Sequence, residues 1–222
     1  MRITYWSDFA DPYCYIGRKR MLQAIREIGE EDRIELEMRC FEIDTESPIE
    51  TTETMVESLM RRFHASQEEC EAKVAEIDAM GQGEDSRFSY GKATRTNTMD
   101  AHCLVKYAWF IRDEQRFERM ERIVDALFEA NYIHHENLAD REVLLRIAHE
   151  VGLAVDDVRH MLETGDNQVD VRDDEAIAKD LEISRVPFFV LDYQQGFSGV
   201  GTVEDYKEAL QNSLWEREEP RQ

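Results

Sequence analysis

Near the start of the chain, Asp11-Pro12-Tyr13-Cys14 stands between an apolar run and an amphipathic one. A helix opening at Pro12 would gather free amide N–H groups and the positive end of its dipole around these residues, an environment that favours a thiolate. Cys14 is therefore a candidate for single-thiol chemistry. The neighbouring Asp11 carboxylate opposes its ionisation, so the two influences partly cancel and predict a thiol of ordinary reactivity. Lone cysteines also pack as small apolar residues, and that reading of Cys14 stands beside the chemical one. Asp11 has a structural use as well: Asp followed by Pro caps a helix, worth about 1 kcal/mol, and a cap is compatible with a role in a ligand site.

A second cluster, Arg185-Val186-Pro187-Phe188, lies far along the chain, where Pro187 marks the start of an apolar strand. Cys40 and Cys103 read as core, and Cys70 as surface or inter-helix packing. The wide spacing of the four cysteines fits neither a zinc knuckle nor a disulfide framework. His102 sits among apolar residues and reads as a hydrogen-bonded structural histidine. In His134-His135-Glu136, adjacent side chains diverge on any regular element, so no metal site is expected.

The elements that must hold these residues follow from periodicity. Residues 3–9 read as a buried strand and 12–28 as a helix stopped by Gly29, while 34–43 alternate as a second strand. This β-α-β opening implies a parallel crossover. Between positions 48 and 165 helix follows helix: 52–63 with Phe63 on its apolar face, and 66–80 opened by the Ser66/Glu69 capping box and broken at Gly81. Asn97-Thr98 then caps a helix to Ile111, and further helices cover 117–130, 143–151 and 155–162. Trp109, Phe110 and Phe117 read as core. The chain next returns to α/β, with a helix at 173–181, strands at 186–191 and 196–200, and a helix at 204–214 with Tyr206, Leu210 and Leu214 inward. Expected is an α/β fold in which residues 1–47 and 166–215 form one discontinuous unit, 48–165 a helical insertion and 216–222 a polar tail.

With 27 Lys and Arg against 49 Asp and Glu, the chain carries a net charge of −22, which argues against nucleic-acid and anionic-membrane partners. No apolar run reaches the roughly 18 residues of a membrane span, and no secretory h-region opens the sequence. A cytoplasmic protein with reduced thiols is expected.

The segment from Trp6 to Gly17 resembles the active-site segment of the DsbA family of thioredoxin-fold proteins, in particular its FrnE-like branch. Asn97-Thr98-Met99-Asp100-Ala101-His102, Leu127-Phe128-Glu129-Ala130 and Val186-Pro187-Phe188-Phe189 resemble family segments in the same order. The resemblance implies a thioredoxin fold with a mixed central sheet and a large all-helical insertion, and activity as a thiol–disulfide oxidoreductase or isomerase. It implies a cis Val186–Pro187 bond facing the first helix, with the backbone of Val186 offered to an extended ligand. Trp6, Pro12, Tyr13, Tyr15 and Phe188 would flank that site, and Arg185 reads either as the holder of a ligand carboxylate or as a solvated loop arginine.

Aligned on Pro12, however, Cys14 takes the place of the family's second cysteine, and Asp11 that of the first. Disulfide exchange begins with attack by the first sulfur. A carboxylate cannot make that bond, so dithiol activity is expected to be weak or lost. An alternative comes from the kappa-class glutathione transferases and hydroxychromene-carboxylate isomerases, which resemble this chain at Asp8-Phe9 and Pro12-Tyr13 and carry serine at the position of Asp11. That serine donates a hydrogen bond to the glutathione thiolate, which an ionised Asp11 could not do. A third reading is a non-catalytic peptide-binding protein. The expected partner is a thiol or a peptide, with glutathione as cofactor under the alternative and none otherwise.

Overall fold

A computed structural model describes residues 1–218. Its described residues form four strands and nine α-helices: β1 (Arg2–Ser7), α1 (Pro12–Ile28), β2 (Glu35–Cys40), α2 (Met55–Phe63), α3 (Gln67–Gln82), α4 (Met99–Phe110), α5 (Arg116–Tyr132), α6 (Arg141–Glu150), α7 (Val155–Thr164), α8 (Gln168–Asp180), β3 (Phe188–Leu191), β4 (Gln195–Ser198) and α9 (Val203–Glu218).

The sheet runs β2-β1-β3-β4. β1 and β2 are parallel, with Ile3 opposite Leu36 and Tyr5 opposite Met38, joined through α1 as the β-α-β pattern predicts. β3 is antiparallel to β1 and β4 to β3, so the sheet is mixed. This is the thioredoxin fold. The period of two along each strand separates the two faces. Tyr5 stacks on Phe189, and Phe189 meets Tyr206 of α9, so these rings belong to the side covered by α1 and α9. Their neighbours Trp6 and Phe188 belong to the other side, where the Trp6 indole reaches α8.

The helices between the two halves of the sheet dock on the start of α1 through aromatic rings. Tyr15 lies 5.1 Å from Phe88, Phe9 4.9 Å from Phe128, and Phe88 5.2 Å from Tyr132, centroid to centroid. Aromatic pairs at such separations add to simple burial, and here they fix the segment that carries Asp11 and Cys14.

Several boundaries differ from the sequence reading for local reasons. β2 stops at Cys40 because the Ile43 N–H is taken by the Asp8 carboxylate, 2.8 Å away, and not by a ladder. β3 begins at Phe188, after Pro187, which has no N–H to give to a sheet. α2 starts at Met55 behind a Thr54/Glu57 capping box, and Phe63, expected on its inner face, is 64% exposed at the helix end. Gly81 does not break α3: the helix runs through it, and its missing side chain makes room for the Phe88 ring, since a Cβ there would sit 2.1 Å from Phe88 Cδ1. Phe110, expected in the core, is exposed, and Leu214 is only half-buried. Cys40, Cys70 and Cys103 are buried, Cys70 on α3. α9 runs on to Glu218, into the stretch read as a polar tail, whose residues 219–222 lie outside the described residues.

Candidate functional site

β1 delivers the chain to Asp8, and a four-residue turn carries it to Asp11 and α1. Asp11 adopts an extended backbone (φ −99°, ψ 114°), its Oδ1 accepts the Tyr13 N–H at 2.9 Å, and Pro12 takes the first helical position. Asp11 is thus the cap that its place before Pro12 predicts. Its carboxyl is half-buried, and burial pushes its pKa from 3.8 up to about 7; the Tyr13 amide opposes the rise, the Asp8 charge adds to it and Arg62 opposes it. A carboxyl in this range is partly protonated at neutral pH. This corrects the expectation of a fixed negative charge, because desolvation outweighs the favourable helix amides.

Cys14 has no exposed surface, and its Sγ accepts the Asp8 N–H at 3.4 Å. Burial first, and the Asp11 charge second, hold the thiol well above its ordinary pKa. The expected near-cancellation between helix amides and Asp11 does not occur, since burial was in neither side of that balance. Cys14 is a neutral, enclosed thiol.

Opposite α1 lies the Val186–Pro187 peptide, which is cis. Gly17 makes the close approach possible: a Cβ there would stand 3.0 Å from Pro187 Cγ and 3.7 Å from Phe189 Cε2. Pro187 is buried, and its carbonyl accepts the Gly199 N–H at 2.8 Å. The amide and carbonyl of Val186 enter no hydrogen bond among the described residues. Arg185, next to it, is exposed and forms no ion pair among the described residues. Pro187, at the head of β3, therefore packs on α1 at Gly17, the helix whose first turn carries Pro12 and Cys14 behind the Asp11 cap.

The aromatic residues expected around the site divide. Phe188 is half-buried against the edge of Trp6, 6.5 Å between centroids. Trp6 itself is 4% exposed, and its Nε1 donates to the Asp174 carbonyl at 3.1 Å, so it supports the sheet and presents no surface to a ligand. Tyr15 turns inward to Phe88, Phe128 and Tyr132. Tyr13 is half-buried, with Lys73 Nζ 5.7 Å from its ring centroid, a cation–π arrangement.

Sequence reasoning passed over the residue on which the whole segment hangs. Asp8 is 1% exposed; its Oδ1 accepts from Thr98 Oγ1 at 2.8 Å and Ala10 N at 3.2 Å and lies 3.2 Å from His102 Nε2, and its Oδ2 accepts from Ile43 N. One buried carboxylate thus joins the end of β1, the exit of β2 and the first turns of α4. It also explains how the expected Asn97-Thr98 cap of α4 divides: the Thr98 hydroxyl is spent on Asp8 and makes no capping bond, while Asn97 Oδ1 accepts the Met99 N–H at 3.0 Å. A signal was present, since Asp8 interrupts an apolar stretch between Trp6 and Phe9 and so had to be paired if buried. Asp174 is a second such centre, joining Arg39 Nη1 and Cys40 N at 2.9 Å each, with Lys106. Among the described residues no three His, Cys, Asp or Glu side chains gather as metal ligands, and no helix is long and apolar enough to cross a membrane.

A two-strand β-α-β and β-β-α sheet with a cis-proline against the first helix defines a thioredoxin-fold protein. The model of the DSBA-like thioredoxin domain matches residues 2–211, and the chain belongs to that family. Among solved structures it is similar to a probable DsbA oxidoreductase from Streptomyces coelicolor, with 29% identity over 100% of this chain and 93% of that one and a TM-score of 0.84. The cytosolic disulfide reductase DsbM from Pseudomonas aeruginosa shares 16% identity (97% and 99% of the two chains, TM-score 0.64), and a 2-hydroxychromene-2-carboxylate isomerase shares 12% (98% and 96%, TM-score 0.67). These two likenesses concern the fold alone. No curated protein matches the chain in sequence.

Proposed function

We propose that this DsbA-family protein has lost dithiol turnover and works as a binding protein for a thiol or an extended peptide, held between the start of α1 and the Val186–Pro187 segment. The observation that carries this reading is the pair at the family's redox position: Asp11 has no sulfur with which to attack, and Cys14 has no exposed surface. The Val186 amide and carbonyl, without a hydrogen bond among the described residues, suit backbone pairing with an extended ligand, and Arg185 supplies a charge beside them for a ligand carboxylate.

The partial protonation of Asp11 favours a second reading, a glutathione-type ligand, because a protonated carboxyl can donate a hydrogen bond to sulfur. It supports binding more than activation. A proton shared between a carboxyl of pKa about 7 and a thiol of ordinary pKa, about 8.5, rests on the sulfur, so the ligand stays a thiol.

The test is insulin reduction by wild type beside Asp11→Cys, which restores a Cys-Pro-Tyr-Cys sequence. Wild type is expected at background and the variant above it. Wild-type turnover that survives Cys14→Ser would overturn the proposal.

A further inference from the structure

The two edges of the sheet are built differently. β2, at one edge, carries Glu35, Glu37 and Arg39, and charged side chains discourage an edge from pairing with another chain. β4, at the other, reads Gln195-Gly196-Phe197-Ser198 and has neither a charge nor a proline. Along an antiparallel strand, successive residues turn their backbone groups alternately toward the partner and away from it. The Gly199 N–H meets the Pro187 carbonyl at 2.8 Å, and Phe197 stands opposite Phe189. Phe197 and Gly199 therefore face β3, while Gly196 and Ser198 turn their amides and carbonyls outward. Both residues are exposed, and no hydrogen bond takes those groups among the described residues.

A cleft of about 470 Å³ lies between this edge and α9. Phe197, Val200 and Ala209, all half-buried, give it an apolar lining, with the Phe197 ring 5.7 Å from that of Tyr206. Its charged lining residues, Asp205 and Glu208, are of one sign. Asp205 accepts the Thr202 N–H at 2.7 Å, which holds its carboxyl below the usual range. Glu208 is exposed and forms no ion pair among the described residues. Arg20 reaches the Gly201 carbonyl at 3.1 Å but is paired with Glu84. Outward backbone groups beside such a cleft suit strand addition, in which the main chain supplies affinity and the cleft selects alternate side chains. A second copy of this chain, paired through the same edge, would set these carboxylates against their own counterparts. With a net charge of −22 on each copy, that pairing is opposed.

We propose that the β4 edge and α9 form a docking groove for a basic, extended segment of another protein, which adds a fifth strand along Gly196 and Ser198 and sets lysine or arginine side chains against Asp205 and Glu208. The groove is independent of Asp11, Cys14 and the Val186–Pro187 segment.

The test is fluorescence anisotropy of a labelled, end-blocked hexapeptide of alternating lysine and valine, titrated with the full chain. Two comparison probes replace every lysine by glutamate, or methylate every backbone nitrogen so that no N–H is left to give. Saturable one-to-one binding is expected of the lysine peptide, and none of the other two. Ser198→Pro removes an outward amide without touching the β3 ladder and should weaken binding by about tenfold, as should Glu208→Lys. If circular dichroism shows that Ser198→Pro does not fold, Glu208→Lys, on the exposed helix surface, carries the test. The proposal fails if the lysine peptide does not saturate, or if either comparison probe binds as tightly. It also fails if the folded variants bind as wild type does, as a peptide held at Val186–Pro187 would. Sedimentation of the free chain as a dimer that Ser198→Pro dissociates would give the edge to a second copy and overturn the proposal as well.

Discussion

Replacing Asp11 by Asn separates its two properties, the cap and the charge. Asn keeps an oxygen that can accept the Tyr13 N–H and ranks with Asp as a cap, but it never ionises. In the folded chain the Asp11 carboxyl titrates near 7, against 3.8 when unburied. A carboxyl raised on folding makes its full contribution to stability below the unfolded value and loses it as pH rises through the folded one. Wild type should therefore lose stability relative to Asp11→Asn between about pH 4 and pH 7. At ~1.4 kcal/mol per pH unit the interval from 3.8 to about 7 sets a ceiling of about 4 kcal/mol, and the carboxyl's partial exposure brings the expected difference to about 2 kcal/mol. Urea titrations of both proteins from pH 4 to 8.5 measure it as the difference in unfolding free energy. Equal stability of the two proteins at pH 4, with the variant ahead at pH 8, is the expected pattern. A difference that stays constant across the range would mean that Asp11 is ionised throughout, and the account of its environment would be wrong.

Asp11→Ala removes the cap and should cost about 1 kcal/mol at pH 4, where the charge is absent, which a thermal melt would register as a fall of about 2–4 °C. All four cysteines are buried, Cys14 fully, so native protein should react with a thiol reagent far more slowly than the same protein in denaturant; a Cys14 that reacts at the rate of free cysteine would contradict its enclosure. Gly81→Ala places a Cβ in the Phe88 ring and should destabilise by about 1–3 kcal/mol, checked by the urea midpoint. Asp8→Ala leaves the amides of Ala10 and Ile43 and the Thr98 hydroxyl without their acceptor and should cost about 3 kcal/mol or more; a variant as stable as wild type would refute its role as the anchor of the site.

The sequence by itself determined the local elements and the chemistry that an aspartate at position 11 cannot perform. Alternation and 3.6-residue periodicity depend only on near neighbours, which is why the β-α-β opening, the Ser66/Glu69 box and the Asp11-Pro12 helix start were all legible. That Asp11 offers no sulfur for attack was legible too, because no fold turns a carboxylate into a thiol. What tertiary structure decided was solvation and long-range pairing. Asp11 was expected ionised and Cys14 balanced between two electrostatic influences, yet desolvation, which no spacing reveals, governs both. Trp6 was expected at the ligand and instead bonds Asp174, 168 residues away. Phe63 and Phe110 carry core-forming side chains, but each stands at the last position of its helix and stays exposed. Asp8 joins segments 35 and 90 residues distant. A buried carboxylate must be paired, and the sequence shows that requirement, but which donors meet it is settled only when the folded chain brings them within hydrogen-bond reach.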